Sequence, residues 1–532
     1  MPSLFFSPKG DNFQHHSESR TQNRASGKRR FFFWLVIAFL IFGIVFLASI
    51  AFAYKFYSTS QKVIDNGQNT SFIQSLKDIA FSDRKALRGE KYGRINILLV
   101  GLAGKNYPGA NLTDSIIIAS VDPKTYQTAL LSVPRDLYVP IPGTNSSTKI
   151  NALYARSEDA DANGKSGIEN LKYALADITG QPIDYYIALD FDGFEQIINE
   201  LGGIKVQVPK DLHDERYPGP NYSYETFDIK KGLQTLDGET ALKFARTRHN
   251  EDGDFGRAYR QQLILESARS KAFSLGTILN IPELNNMLDT LGEHLRTDIP
   301  LDEFNSFIDL VKKIDTHTTT NKVLDAGKPD SLTAVSHVML GNVRAFILIP
   351  RTGNYDEIQD LAKNIFDLDL IARKKQEIKN ENATVAIVNE SGVNGFDGKL
   401  KNLLDKFDYQ AEIAVCRDAS NASACQQRWI QSVSTDTTVY DLTGGLKPFS
   451  LEDLSKKLGA KIENGSLAST VEAKLPPSAN KPDFILVAGS DITDKLNYEE
   501  NSVQDLENGY DHQQVDEKTY IDLLKKGSSQ RF

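Results

Sequence analysis

The stretch that decides the fold runs from residue 94 to residue 136 and reads RINILLVGLAGKNYPGANLTDSIIIASVDPKTYQTALLSVPRD. Its apolar runs at 95–101, 114–122 and 125–136 predict three short buried strands. A loop rich in Gly, Pro and Asn separates the first two strands. The connection between the second and third is short, so we expect those two strands to form a hairpin.

Downstream of this stretch, helical and strand patterns alternate. We predict helices at 167–180 and 193–203, and strands at 183–191 and 204–209. Strands that are partly adjacent and partly separated by helices predict an α/β/α domain with a mixed central sheet. In such sheets ligands bind on the loops beyond the strand ends. Asp114, Arg135 and Asp136 lie at predicted strand ends, although a simple Arg135–Asp136 salt bridge explains that pair equally well.

A second stretch carries the chemistry. Residues 237–262 read DGETALKFARTRHNEDGDFGRAYRQQ and contain Arg246, Arg248, Arg257 and Arg260. Arg257 and Arg260 are i and i+3 on a predicted helix, where like charges repel. A phosphate group would relieve that repulsion, because helix starts and guanidinium groups both bind phosphate. The alternative is a solvated basic face whose local partners include the neighbouring aspartates.

Composition sets broad limits. A chain of 532 residues predicts two or three domains. A net charge of −9 gives no overall basic surface for nucleic acid, and no helix-turn-helix is visible. Cys416 and Cys425 are the only cysteines, and the sequence leaves open whether they form a disulfide or stay as two thiols.

The N-terminus predicts a membrane anchor. Residues 1–30 form a polar tail that ends in a basic cluster, and residues 31–54 are apolar without a charged side chain. Such a run is long enough for one transmembrane helix, and its basic flank predicts a cytoplasmic N-terminus with the bulk of the chain extracellular. A cleaved signal peptide is the alternative. Residues 55–93 are predicted to form a stalk.

The rest of the chain divides by composition. We predict a large α/β domain at 94–370, a charged and weakly structured linker at 371–382, and a second small α/β domain at 383–493. A polar tail follows at 494–532. The second α/β domain has no dense cluster of His, Cys or paired carboxylates, which favours a binding or structural module.

Several spaced motifs resemble the LytR-CpsA-Psr (LCP) family of cell-wall glycopolymer ligases. They are LTDSI at 112–116, SVPRDLYVPIPG at 132–143, KINALYA at 149–155, IDYYIALDFDGF at 183–194, ELGGIKVQV at 200–208 and, most closely, residues 236–262. Residues 383–493 look like the LytR-type C-terminal domain that often accompanies this family.

The resemblance implies a membrane-anchored phosphotransferase in bacterial cell-wall biogenesis. Its donor would be a polyprenyl-pyrophosphate-linked glycan and its acceptor peptidoglycan. Asp114, Arg135 and Arg257 fall on catalytic positions by this resemblance. The residues that fall on pyrophosphate-binding or supporting positions are Arg135, Arg246, Arg248, Arg257, Arg260 and Gln261.

The resemblance also implies a Mg²⁺ ion, for which Asp114 and Asp254 are the candidate ligands. One departure concerns this metal: many members have an aspartate two residues after the glycine of the first strand, where this chain has Ala103. An apolar groove for the prenyl chain is expected near Ile116, Leu131 and Leu263, for which plain core packing is the alternative. Two other functions remain open, a non-catalytic wall-polymer or polyprenyl-pyrophosphate-binding protein and a pyrophosphatase on the same donor.

Overall fold

The computed structural model describes residues 85–496, with gaps at 105–106, 108–110, 156–166, 219–222, 248–252, 275–290, 292–293, 315–318, 327, 329, 341–342, 415–432, 465–480 and 494. The predicted transmembrane helix, the basic tail, most of the stalk, both cysteines and the polar tail beyond Leu496 lie outside the described residues. Within the described part, no helix combines the length and apolarity that a membrane crossing requires.

The first domain carries fourteen described strands and seven described helices. Its strands are β1 (Ile95–Leu102), β2 (Thr113–Val121), β3 (Thr128–Ser132), β4 (Tyr138–Pro140), β5 (Ser147–Lys149), β6 (Tyr185–Asp190), β7 (Ile204–Val208), β8 (Leu212–Pro218), β9 (Tyr224–Ile229), β10 (Gly232–Leu236), β11 (Leu295–Thr297), β12 (Thr320–Val323), β13 (Thr333–Leu340) and β14 (Val343–Pro350). Its helices are α1 (Ala152–Ala155), α2 (Gly167–Thr179), α3 (Phe191–Glu200), α4 (Gly238–Arg246), α5 (Gly253–Ser274), α6 (Phe304–Lys313) and α7 (Asp356–Lys363).

A mixed six-stranded sheet forms the centre of this domain, in the order β11-β6-β1-β2-β3-β12. Strand β2 is antiparallel to both β1 and β3, which confirms the predicted hairpin of β2 and β3. Strand β6 is parallel to β1, and β12 is parallel to β3. The carboxyl ends of β1, β3, β6 and β12 therefore share one edge of the sheet, and β2 begins there.

Helices cover both faces of this sheet. Leu98 and Val100 of β1 pack in one core with Leu171 of α2. Their neighbours Ile97 and Leu99 point to the opposite face, where Leu265 of α5 packs. A strand that is buried on both faces reads as a continuous apolar run, which is why the sequence revealed these strands clearly.

A smaller lobe beside the sheet was not predicted. The pairs β7–β10 and β8–β9 form two antiparallel ribbons, and Val206, Phe227 and Phe244 share a core with Ile264 of α5. These strands are exposed on one side and buried on the other, so β8 to β10 lack the continuous apolar runs by which strands buried on both faces are recognised.

The second domain is a five-stranded α/β unit in the order β16-β15-β19-β17-β18. Its strands are β15 (Thr384–Asn389), β16 (Gln410–Ile413), β17 (Thr438–Asp441), β18 (Lys461–Asn464) and β19 (Phe484–Ala488), and its helices are α8 (Leu368–Glu381), α9 (Phe396–Asp405) and α10 (Pro448–Leu458). Val385, Leu400, Leu454 and Leu486 meet in its main core.

Helix α8 corrects the expectation of a weakly structured linker at 371–382. Ile378 is buried in the second domain's core, while the charged residues of α8 face solvent. The Glu381 carboxylate also accepts hydrogen bonds from the backbone amides of Phe449 and Ser450 at the start of α10, at 3.1 and 2.6 Å. The prediction failed because a single buried position in a charged helix leaves a weak amphipathic pattern.

The β13–β14 hairpin lies between the two domains. Val335 and Leu348 pack in the core of the first domain. Ala334 and Ile349, one residue away on each strand, pack against the core of the second. Because neighbouring strand residues point to opposite faces, one hairpin serves as a wall for both cores.

Candidate functional site

A recess opens at the edge of the central sheet where β1, β3, β6 and β12 end. Asp114 at the start of β2 and Arg135 just after β3 line it, together with Arg257 and Gln261, which are one turn apart on α5. The recess encloses about 410 Å³, part of it open to solvent. Four of the residues predicted from sequence therefore line one cavity, which we call the carboxyl-edge recess.

Charges of alternating sign run along one wall of this recess. The Arg135 Nη1 donates to Asp114 Oδ1 at 3.0 Å. On its other side, Arg135 Nε lies 3.6 Å from Asp136 Oδ2, and Lys149 Nζ lies 2.5 Å from Asp136 Oδ1. The series Lys149, Asp136, Arg135 and Asp114 thus joins β5 to the start of β2. Arg135 is fixed between two carboxylates, of which Asp114 is the more exposed.

Helix α5 is tied to the sheet directly beneath the recess. The Gln262 Nε2 donates to Ser132 Oγ at 2.9 Å and to the carbonyl oxygen of Lys322 at 3.1 Å. Gln262 is fully buried, and these bonds attach α5 to the ends of β3 and β12. Arg257, which is 8% exposed, and Gln261 are thereby held opposite Arg135.

Arg260 lies outside the recess and has a supporting role in the fold. Its Nε donates to the carbonyl oxygen of Phe244 at 2.9 Å, and its Nη2 donates to that of Thr247. The side chain is 2% exposed. Since the last carbonyls of a helix have no partner within the helix, this guanidinium caps the end of α4.

Arg246 also lies apart from the residues that line the recess. Its guanidinium carbon is 4.4 Å from the ring centroid of Phe191 and 5.5 Å from those of Tyr107 and Tyr217, and its Nη1 donates to the Tyr217 hydroxyl at 3.1 Å. Burial raises the pKa of Tyr217 and opposes the lowering effect of the Arg246 charge. The aromatic rings hold this arginine by cation–π contacts.

Two further predicted site residues are not placed by the structure. Arg248 lies outside the described residues, and the side chain of Asp254, at the start of α5, lies outside the described part as well. Among the described residues no group of three His, Cys, Asp or Glu side chains is arranged to hold a metal ion. The position at which the family resemblance expects a further aspartate, Ala103, is buried beside Phe191 and Leu242.

The apolar residues suggested for a prenyl groove divide in the structure. Ile116 lines the recess together with Val133 and Leu348. Leu131 is buried in the core of the first domain, and Leu263 packs against the smaller lobe. Part of the lining of the recess is therefore apolar, although only one of the three suggested residues contributes to it.

Three residues that the sequence analysis did not assign to the site support it. Lys149 and Gln262 were not singled out, and Asp136 was treated as half of a salt bridge. Lys149 lies in the KINALYA motif, so the family resemblance could have pointed to it. Its contact with Asp136, however, depends on the pairing of β4 with β5. The role of Gln262 depends on which side of α5 meets the sheet.

The fold and the recess together define an α/β protein with arginines and a carboxylate gathered at the carboxyl edge of a mixed sheet. This chain belongs to the LytR_cpsA_psr family, whose model matches residues 50–339. The family resemblance predicted from sequence is thereby confirmed. The match ends before the second domain, so the resemblance of residues 383–493 to a LytR-type C-terminal domain stays a prediction.

Some curated relatives of this chain are named as transferases and others as a regulatory protein. The chain is 32% identical over 302 residues to the polyisoprenyl-teichoic acid–peptidoglycan teichoic acid transferase TagV of Bacillus subtilis, which covers 54% of this chain and 71% of TagV. It is 27% identical to the transferase TagU of Enterococcus faecalis, over 50% of this chain and 79% of TagU. It is 33% identical to the regulatory protein MsrR of Staphylococcus aureus, over 39% of this chain and 57% of MsrR.

Among solved structures, the crystal structure of B. subtilis TagV aligns with 52% of this chain, and the alignment includes 97% of the TagV chain. The identity is 28% and the TM-score is 0.40.

Proposed function

We propose that this protein transfers a glycopolymer from a polyprenyl-pyrophosphate-linked donor to a hydroxyl group of peptidoglycan. The observation that carries the proposal is the carboxyl-edge recess, which Arg135, Arg257 and Asp114 line together. The names of TagV and TagU, transferases of teichoic acid to peptidoglycan, support the same class of reaction.

The chemistry needs charge neutralisation and alignment more than a covalent nucleophile. The acceptor hydroxyl oxygen attacks the phosphorus that carries the glycan, and the bond from that phosphorus to the bridging oxygen breaks. Polyprenyl phosphate leaves, and a phosphodiester joins the glycan to peptidoglycan. Arg135 and Arg257 would neutralise the charge that develops on the phosphate oxygens, since preorganised cationic donors are most effective where charge builds up.

Asp114 is the carboxylate placed to assist this step. When phosphate oxygens displace Asp114 from Arg135, the freed carboxylate lies beside the reacting phosphorus. It can then accept the proton that the acceptor hydroxyl loses. Gln261 lies one turn from Arg257 and supplies a polar group without charge on the same wall.

Magnesium remains a prediction for this site. Mg²⁺ commonly binds through one or two carboxylates together with substrate phosphates. Asp114 is the one recess carboxylate whose partner, Arg135, would be drawn to the donor, whereas Asp136 is held by Lys149. The described residues offer no complete set of protein ligands, so none of the steps above depends on the metal.

The location of the protein follows from sequence and is also a proposal. A single transmembrane helix at 31–54 would keep the domain outside the cell and close to a lipid-linked donor.

A reconstitution assay tests the proposal. The full chain in detergent is incubated with a polyprenyl-pyrophosphate-linked sugar, Mg²⁺ and peptidoglycan fragments, and the products are followed by mass spectrometry. A sugar joined to peptidoglycan through a phosphodiester is the expected product. Release of sugar phosphate alone would favour a pyrophosphatase, and tight donor binding without turnover would favour a non-catalytic binding protein.

A further inference from the structure

Lys149 does not line the carboxyl-edge recess, yet it is rigidly linked to a residue that does. It ends β5, and the backbone that follows it is bonded to the segment around Asp136. The amide of Ile150 donates to the carbonyl oxygen of Leu137 at 2.8 Å, and that of Asn151 donates to the carbonyl oxygen of Arg135 at 3.3 Å. The position of the Lys149 side chain relative to Asp136 is therefore set by backbone hydrogen bonds.

From Asp136 to Asp114, exposure increases along the series of charges. The Asp136 side chain is 8% exposed, that of Arg135 19% and that of Asp114 25%. Lys149 itself is 16% exposed and lies at the end remote from Asp114. The inner pair of charges, Lys149 and Asp136, is therefore less hydrated than the outer pair, Arg135 and Asp114. The outer pair is open to exchange with an anion.

Among the described residues at and beside the recess, the balance of charge depends on the Lys149–Asp136 pair. Arg135, Arg257 and Lys149 contribute three positive charges, and Asp114 and Asp136 contribute two negative ones. With Lys149 the group is net positive by one charge. Without it the group is neutral, and Arg135 stands between two carboxylates that together outweigh it. An anion would then meet no net attraction from this group.

We propose that Lys149 is a positioning residue for the anion site: it neutralises Asp136, so that the positive charge of Arg135 remains available to a phosphate group in place of Asp114. This inference rests on the proposed function, because it assumes that the recess receives a pyrophosphate. In this proposal, the lysine of the KINALYA motif does not contact the ligand. It acts on the anion site indirectly, through Asp136 and Arg135.

The test measures binding of inorganic pyrophosphate to the full chain in detergent by isothermal titration calorimetry. Lys149→Met should weaken binding on the order of tenfold, as Coulomb's law gives for a charge about 10 Å away at an effective dielectric constant of about 20. Lys149→Arg keeps the charge and should bind nearly as well as the wild type. Thermal melting of each variant shows whether it is folded.

The double variant Asp136→Asn/Lys149→Met separates charge balance from loss of a salt bridge. It removes one charge of each sign, which restores the net positive group, so pyrophosphate affinity should return to within about threefold of the wild type. Unchanged binding in Lys149→Met, or a double variant that is folded but still binds weakly, would overturn the inference. Absence of pyrophosphate binding by the wild type would instead remove the proposed anion site, and with it this role for Lys149.

Discussion

The two α/β domains use the same edge of their sheets in different ways. In the first domain, charged side chains from separate elements meet at the strand ends, and Asp114 bonds to Arg135 at the recess. In the second domain, β15 is parallel to β16 and β19, so their carboxyl ends also share an edge. There Asn389 bonds to Ser391 and to the carbonyl oxygen of Val393 within its own loop.

This difference indicates which domain can receive a ligand at its strand ends. A partly exposed ion pair exchanges one partner for an incoming anion at little cost. A buried amide such as Asn389, already bonded to its own loop, would have to leave backbone groups unpaired in order to reach a ligand. The first domain therefore carries the candidate chemistry, whereas Asn389, the described polar residue at the end of β15, is committed to structure.

The strongest test of this comparison replaces one arginine by alanine in each domain. Arg257→Ala should lower donor turnover by at least about a hundredfold, a loss of about 3 kcal/mol in transition-state stabilisation, because it removes a cation from the recess. Arg373→Ala is the matched control, since Arg373 lies exposed on α8. Turnover is followed by mass spectrometry, and equal rates for the two variants would remove Arg257 from the site.

A second test compares Arg260 with Arg257, which lies on the same helix, α5. Arg260→Met should destabilise the protein by about 2–4 kcal/mol, because it leaves the buried carbonyls of Phe244 and Thr247 without this donor. Urea denaturation followed by circular dichroism measures the change. Arg260→Lys should restore little of the lost stability, because an ammonium group cannot reproduce the guanidinium geometry. A fully stable Arg260→Met variant with impaired pyrophosphate binding would instead place this side chain in the ligand site.

The second domain offers a stability test that should leave turnover unchanged. The buried Tyr409 hydroxyl donates to Asp453 Oδ2 at 2.8 Å and to the carbonyl oxygen of Ser450 at 3.2 Å. Tyr409→Phe should cost about 1–3 kcal/mol of unfolding free energy. The measurement is urea denaturation of both proteins, accompanied by the transfer assay. A large loss of turnover without a change in stability would contradict the structural role of this domain's interior.

The same tyrosine predicts an alkaline pH dependence. Burial, reinforced by the neighbouring Asp453 charge, raises the pKa of Tyr409 above its usual range. The folded state then holds its proton more tightly than the unfolded state, so this contribution to stability is complete below pH of about 10 and decreases as pH rises further. Denaturation curves at pH 8 to 11 should show a steeper loss for the wild type than for Tyr409→Phe; parallel curves would contradict the assignment.

The smallest effect is expected where α8 meets α10. Glu381→Ala removes the carboxylate that accepts from the amides of Phe449 and Ser450, and should cost about 1 kcal/mol, as for other losses of a helix cap. Differential scanning calorimetry would detect a shift of a few degrees. Lys379→Ala, at an exposed position in the last turn of the same helix, serves as its control. No shift in the Glu381 variant would mean that residues 371–382 act as a linker after all.

Sequence patterns predicted the parts of the fold that are buried on both sides or strongly periodic. Strands β1, β2 and β3 and helix α2 were found within a few residues of their observed ends. Strands β8 to β10 were missed because only one face of each is buried, which leaves no continuous apolar run. Helix α8 was missed because its cap and its buried Ile378 depend on α10 and on the second domain's core, which lie far away in sequence.

The candidate site could also be predicted only in part from the sequence. Spacing placed Arg257 and Gln261 on one helix and Asp114 and Arg135 at strand ends, and the fold brought all four into one recess. Spacing did not distinguish Arg257 from Arg260, since both lie close together on α5. Only the packing of α5 against α4 turns Arg260 toward backbone carbonyls and leaves Arg257 at the cavity.

The sequence by itself determined the class of the protein: its motifs identify the family, and its apolar periodicity specifies an α/β fold, because local backbone preference and hydrophobic burial are encoded residue by residue. The tertiary structure alone decided which charges meet. The Lys149–Asp136–Arg135–Asp114 series joins strands that pair through hydrogen bonds between distant segments. Electrostatic energy depends on distances in space, and residue spacing does not fix those distances until the chain has folded.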